Sequence, residues 1–203
     1  MTEEAPITIN LPSKYASDKA TKTDPSGASP SPPLEWLTRA WSVTHSTLSM
    51  WRSARNVRIT YAALEPKPDG TPRIDDLVEY EPSKKSGVLK NVQGVDTRSG
   101  GAGWDWRGKG WLFFVNTHWE LLAWGEATRP DGEVEKWVVT WFAPTIFTKE
   151  GVDVYCDRRE GVSEGTYAKI EAALKGVEAE GIRNMVEKDM RAVEIKLPWT
   201  ESK

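Results

Sequence analysis

The chain has little sulfur chemistry to offer. Cys156 is its single cysteine among 203 residues, so no internal disulfide can form, and a reducing interior such as the cytosol is the expected compartment. No run approaches the roughly 18 apolar residues that a spanning helix needs. The opening residues, Met1 to Pro6, hold no apolar signal segment. We therefore expect no membrane partner. An excess of one charge is missing too: 27 Lys and Arg stand against 30 Asp and Glu, a net charge of −3. That balance argues against a bulk electrostatic grip on nucleic acid. Histidine is limited to His45 and His118. Two His and one Cys this far apart lack the short ligand spacing of structural zinc sites, so no metal is expected. Haem has no support beyond a histidine itself. Gly161-Val162-Ser163-Glu164-Gly165 has Gly-x-Ser-x-Gly spacing, but Ser163 there reads as a helix N-cap, so nucleophilic hydrolysis is disfavoured. The stretch Gly103-Trp104-Asp105-Trp106-Arg107-Gly108-Lys109 fits a phosphate loop only on the surface. Gly110 follows where Ser or Thr belongs, and two indoles sit where backbone must wrap a phosphate. No cofactor is expected.

Tryptophan is abundant, with 11 residues against four Phe and five Tyr. None of the 11 lies in residues 1–33, where six prolines, five serines and one aromatic, Tyr15, are found. Such a segment buries too little apolar area to offset its ordering entropy. We read 1–33 as a disordered tail, with Ile7-Thr8-Ile9 as the one piece able to join a sheet edge. The folded unit is then 34–203.

From Leu34 onward, period-two alternation recurs at short spacing. Trp41, Val43 and His45 alternate with Ser42, Thr44 and Ser46. Val57, Ile59, Tyr61 and Ala63 alternate with Arg58 and Thr60. Further strands are read at 77–80, 88–95, 111–115, 118–126, 137–142 and 152–156. The glycine- and charge-rich stretch 99–110 is read as a turn, in which Asp105 and Arg107 either pair at a rim or meet a polar ligand group. Turn signals such as Pro68-Asp69-Gly70 and Pro130-Asp131-Gly132 separate most strands. Eight serial strands with loops too short for crossover helices favour antiparallel neighbours. They suit a mainly β fold, an eight-stranded antiparallel up-and-down barrel whose interior holds one small ligand. After the barrel the period changes. Tyr167, Ile170, Leu174 and Val177, then Ile182, Met185, Val186 and Met190, mark one face of an amphipathic helix packed outside. Ser163 reads as its N-cap. Gly176 and Gly181 predict a kink or two pieces.

Alternation proposes what faces inward. Trp41, His45, Ile59, Tyr61, Val78, Tyr80, Glu120 and Trp124 line the interior on this reading, together with one face of Trp137 to Trp141. Indole, phenol and imidazole give flat apolar walls with a few polar handles, a usual make-up for a small-molecule site. His118 and Glu120 are two residues apart on one strand face, so the carboxylate can fix the imidazole tautomer. If both histidines face the lumen, they give it a titratable pair. The alternative is His118 near solvent and His45 hydrogen-bonded in the core. Cys156, in register with Val152 and Val154, reads as a small buried residue.

The short apolar turn before Trp41, the serial strands and the C-terminal helix resemble the lipocalin-like, or calycin, barrels. Leu37-Thr38-Arg39-Ala40-Trp41 departs from the usual motif, which has Gly where Arg39 stands. The stretches 41–51 and 118–126 look like parts of lipocalin-like proteins of filamentous fungi. The resemblance implies the barrel and small-molecule binding, with no agreed chemistry. The first functional expectation is therefore binding of a small apolar or aromatic metabolite in a Trp-lined cavity. The alternative is a cofactor-independent enzyme of specialised metabolism, a cyclase, a pericyclase such as a Diels-Alderase, or an isomerase. It would work chiefly by orientation, with His118, Glu120, His45 and Tyr61 as acid–base or hydrogen-bonding groups. A third reading, an interaction module, predicts an unusually large exposed apolar patch.

Overall fold

A computed structural model of the protein describes residues 6–16, 31–85 and 87–201. A short helix α1 (Leu34–Leu37) leads into β1 (Ala40–Ser46). Then follow β2 (Ala54–Leu64), β3 (Arg73–Pro82), β4 (Lys90–Gly100), β5 (Gly103–Gly108), β6 (Asn116–Thr128), β7 (Val134–Phe142) and β8 (Gly151–Cys156). Each pairs antiparallel with the next. β1 closes the ring by pairing with both β8 and β2. This is the eight-stranded up-and-down barrel that the strand spacing predicts. Up-and-down order puts the β1–β2, β3–β4, β5–β6 and β7–β8 loops at one end. The helix α1 and the remaining loops lie at the other.

One strand differs from the sequence reading. The fifth strand is Gly103–Gly108, and the apolar run 111–115 is a loop with a 3-10 turn at Gly110–Leu112. The physical reason is visible in the residues. Trp104 and Trp106 alternate with Asp105 and Arg107, as a wall strand must. The run Trp111 to Val115 has no alternation, follows Gly110 at φ +59°, and leaves Trp111, Phe113 and Phe114 exposed.

Two apolar layers form. The inner one holds Trp41, Val43, Val57, Ile59, Tyr61, Trp104, Trp119, Leu121 and Val138. The outer one lies over β6, β7 and β8, where Leu122, Trp137, Val139, Trp141, Val152 and Val154 face outward. Two helices cover it, α2 (Glu164–Lys175) and α3 (Glu180–Asp189), through Ile170, Leu174, Ile182 and Val186. The break falls at Gly176, as the glycines suggest. Ser163 does sit at the N-cap, but its hydroxyl goes to buried Glu135 Oε1 (2.5 Å) and Thr166 rather than to a helix N–H, tying α2 to β7. A strand β7 that is apolar on both faces thus packs on the core and under a helix.

Described segments near both ends of the chain lie on the barrel wall. Residues 6–16 run along β6, where the Asn10 N–H donates to Leu122 O (2.8 Å) and Ile7, Ile9, Leu11 and Tyr15 pack on the outer layer. The rest of the proposed 1–33 tail, apart from 31–33, lies outside the described residues. At the other end β9 (Arg191–Ala192) pairs with β1 where β1 and β2 splay apart, and Glu194 O accepts from Asn56 N–H (2.8 Å). Among the described residues, no helix is long and apolar enough to cross a membrane.

Candidate functional site

The open end of the barrel leads into a cavity of about 410 Å³. Its side walls come from inward-facing residues of β2 and β3, namely Ile59, Tyr61, Asp76, Val78 and Tyr80. Thr117 and Trp119 of β6, Thr140 and Phe142 of β7, and Asp153 and Tyr155 of β8 face them. Trp106 leans over Gly94, where a Cβ would meet the indole at 2.2 Å, so only glycine fits beneath it. The rim comes from three loops: Met50 and Trp51, Trp111 and Leu112, and Phe147 and Thr148. The other end is plugged. Trp36 packs on Trp41 and Trp124 with ring centroids 5.4 and 5.0 Å away, and Trp41 Nε1 donates to Leu37 O (2.9 Å).

Of the residues assigned inward by alternation, Ile59, Tyr61, Val78 and Tyr80 line the cavity. Trp41 is fully buried in the inner core, and Trp124 is partly buried beside it at the plugged end. The others need correction. A β-bulge between Val43 and His45 shifts the alternation of β1. His45 therefore faces outward and stacks on Tyr167 of α2, centroids 3.4 Å apart. Burial there pushes its pKa down to about 4, so the ring is neutral at physiological pH. Trp137 and Trp141 also face outward, beneath the helices. A second bulge, between Leu121 and Ala123, breaks β6. His118, Glu120 and Leu122 lie on the outer side of it, and Trp124 returns inward.

His118 and Glu120 do meet, but on the outer wall. His118 Nε2 is 3.2 Å from Glu120 Oε1, and Nδ1 is 2.7 Å from Asp105 Oδ1. Asp105 thus partners His118, while Arg107 Nε donates to Phe113 O (3.1 Å). Glu120 also accepts from the Ser13 N–H and hydroxyl, at 3.0 and 2.5 Å. The cluster clasps the N-terminal segment to β6. Cys156 is buried, and desolvation pushes its thiol up to about 12, which leaves no thiolate for chemistry. No group of three or more His, Cys, Asp or Glu among the described residues is placed to hold a metal ion.

The acidic groups of the interior were missed by the sequence reading. Asp76, Asp96 and Asp153 all face inward and are buried. Asp96 Oδ1 accepts from Trp119 Nε1 (2.8 Å). Desolvation, with the neighbouring Asp96 carboxyl second, holds Asp76 well above the usual carboxylate range. Desolvation raises Asp96 and Asp153 to about 7, joined at Asp96 by the charges of Asp105 and Asp75, against opposing help from Trp119 and Asp76 for the first, and Ser46 and Arg52 for the second. Burial likewise keeps the Tyr61 and Tyr155 phenols protonated. One signal was present in the sequence. Asp76 shares strand parity with Ile74, Val78 and Tyr80, and Asp153 with Tyr155. A carboxylate on such a face is normally read as solvent-facing.

A second depression, about 940 Å³ and open to solvent, lies outside β4 and β5 beside Arg73, Arg98, Arg107 and Lys109. Several of its cations are engaged already, Lys109 with Asp75 and Arg98 with Gly101 O. The apolar-walled barrel cavity is the better small-molecule site.

No family model matches the chain, and no curated protein matches it. Among solved structures it is similar to lobster apocrustacyanin A1, at 10% identity and a TM-score of 0.49, with 84% of this chain and 89% of that one covered. It is also similar to the siderocalin Ex-FABP, which functions through dual ligand specificities, at 11% identity and a TM-score of 0.49, covering 80% and 95%. Neither likeness is close enough to carry chemistry to this chain.

Proposed function

We propose that the barrel binds one small, mainly apolar or aromatic molecule in its interior. The observation that carries this is the cavity itself. It measures about 410 Å³, is open at one end and plugged by tryptophans at the other, and is walled by Ile59, Tyr61, Val78, Tyr80, Trp119 and Phe142. That size falls in the range of small-molecule sites. The exposed apolar side chains at the rim give such a ligand an apolar way in. The likeness of 41–51 and 118–126 to fungal lipocalin-like proteins points to a metabolite of specialised metabolism. A lone buried cysteine suits a reducing compartment.

The test is retention. The protein is incubated with an apolar metabolite extract, desalted and analysed by mass spectrometry. One compound retained near one equivalent is expected, and Val78→Trp, which fills the cavity, should release it while the barrel still melts cooperatively. No retention, or equal retention by the filled variant, overturns the reading.

One observation favours a second reading, cofactor-independent catalysis. Asp153, raised to about 7, lines the cavity with Asp76 and Tyr61, so proton donors and acceptors face any bound molecule. His45, His118 and Glu120 take no part, because they lie outside the barrel. Cyclisation or isomerisation would show as conversion of many equivalents, lost in Asp153→Asn.

A further inference from the structure

The cavity is apolar in its walls but acidic in its polar groups. Asp76 and Asp153 both line it, at 7% and 3% exposure. Oδ1 of each makes no hydrogen bond to the protein among the described residues, while Ser46 and Trp51 reach the Asp153 carboxyl and Thr140 partners Tyr155. Thr140 is the direct cross-strand partner of Asp153, so their side chains stand together on the inner face. No Lys or Arg lines the cavity among the described residues. The cation that acts on Asp153 is Arg52, which gives its guanidinium to the carbonyls of Ser46 (2.9 Å) and Asp189 (2.7 Å). Buried carboxyls are normally paired with a cation. Here the protein supplies none within the cavity.

We propose, building on the binding function above, that the barrel selects ligands carrying a protonated amine, with the ammonium group held by Asp153 Oδ1 and Thr140 Oγ1, near Asp76, and the apolar body against the aromatic walls. An ammonium has three N–H donors and no acceptor, which matches the unpaired Oδ1 atoms of Asp76 and Asp153. Its charge also suits the faces of Tyr155 and Tyr61, since cations are attracted to aromatic rings. Burial holds Asp153 up to about 7 in the free protein. An arriving cation favours the ionised carboxyl, which gives its proton to solvent as the pair forms. A neutral ligand of the same shape would leave these oxygens unpaired and gain only the apolar contacts.

Matched probes test this on the unmodified protein. Phenethylamine is compared with propylbenzene, and naphthylmethylamine with ethylnaphthalene, by titration calorimetry at neutral pH. Each pair differs only in an ammonium group replaced by methyl. The amine of each pair should bind at least about tenfold tighter, as a charge-assisted hydrogen bond in a dry site implies. Asp153→Asn should abolish that preference and leave the neutral affinity near its original value, and Asp76→Asn should reduce it. Equal affinity within both pairs overturns the amine proposal and leaves the binding cavity standing. Binding of neither member overturns the cavity reading and the amine proposal with it.

Discussion

Asp76 and Asp96 are diagonal neighbours on the inner face of the β3–β4 pair, Asp76 opposite Gly94 and Asp96 opposite Ile74, and they hydrogen-bond to one another inside the barrel. Two carboxylates cannot do this. One of the pair must hold a proton, and burial together with Asp96 makes Asp76 the holder. In the unfolded chain these groups titrate at the ordinary value of 3.8. The folded state therefore binds protons that the unfolded state has released, and stability falls as pH rises from about 4 through about 7. His45 works in the opposite sense: its pKa is lowered from 6.5 to about 4, so its contribution is lost as pH falls through that window. Three carboxyls outweigh one imidazole. Urea midpoints are expected to drop between about pH 5 and about pH 8, and to drop less in Asp153→Asn.

Trp119 links this acid pair to the aromatic wall. Its ring lies between Tyr61 and Trp104, nearly parallel to both, at centroid separations of 5.7 and 5.9 Å. Its Nε1 donates to Asp96 Oδ1 and lowers the pKa of that carboxyl. Trp119→Phe keeps a ring in the stack and removes the donor. It should cost about 1–3 kcal/mol, the range for leaving a buried acceptor unpaired. Asp96 should then titrate above its present value of about 7, so the pH-dependent loss of stability should extend to higher pH. Urea titrations across the pH range read both effects.

Much of the barrel is legible in the sequence because alternation and turn residues are local signals. Trp41, Ile59, Tyr61, Val78 and Tyr80 face inward as their parity says. The misplacements have specific causes. His45 follows a β-bulge, and a second bulge separates outward His118 and Glu120 from inward Trp124, since an extra residue flips every later side chain to the other face. Trp137 and Trp141 sit on a strand apolar on both faces, so alternation cannot rank the faces, and only the docking of α2 and α3 settles which one is outside. The interior acids were hidden for another reason. A carboxylate at an inward position costs desolvation, and nothing local announces that the protein bears that cost at Asp76, Asp96 and Asp153.

The N-terminal segment depends on Glu120. Its carboxylate accepts two bonds from Ser13 and contacts His118, and Tyr15 OH reaches Glu150 at 2.9 Å. Close packing leaves little slack, since a Cβ on Gly181 would stand 2.6 Å from the Tyr15 ring. Glu120→Ala should release residues 6–16 while the barrel stays folded. Hydrogen exchange checks this at the Asn10 amide, which is bound to Leu122 O at 2.8 Å. It should exchange about tenfold faster or more, the effect of losing about 1.4 kcal/mol locally, and amides of β2 and β3 should hold their rates.

The rim makes the last prediction. Trp111 is 74% exposed and Phe147 62%, yet both border the cavity. They come from the β5–β6 and β7–β8 loops, where Phe113, Phe114 and Ile146 are exposed as well. An exposed side chain adds little to stability, so Trp111→Ser with Phe147→Ser should leave the melting temperature close to wild type. The loss should fall on ligand entry. An apolar molecule that first adsorbs on the rim reaches the opening by a short surface path, and removing two aromatic faces shrinks that landing area. Stopped-flow mixing with ethylnaphthalene, followed through tryptophan fluorescence, should show association slowed several-fold. Dissociation should change less, because the bound molecule rests against Tyr61, Trp119 and Phe142 in the interior, which the two substitutions do not touch.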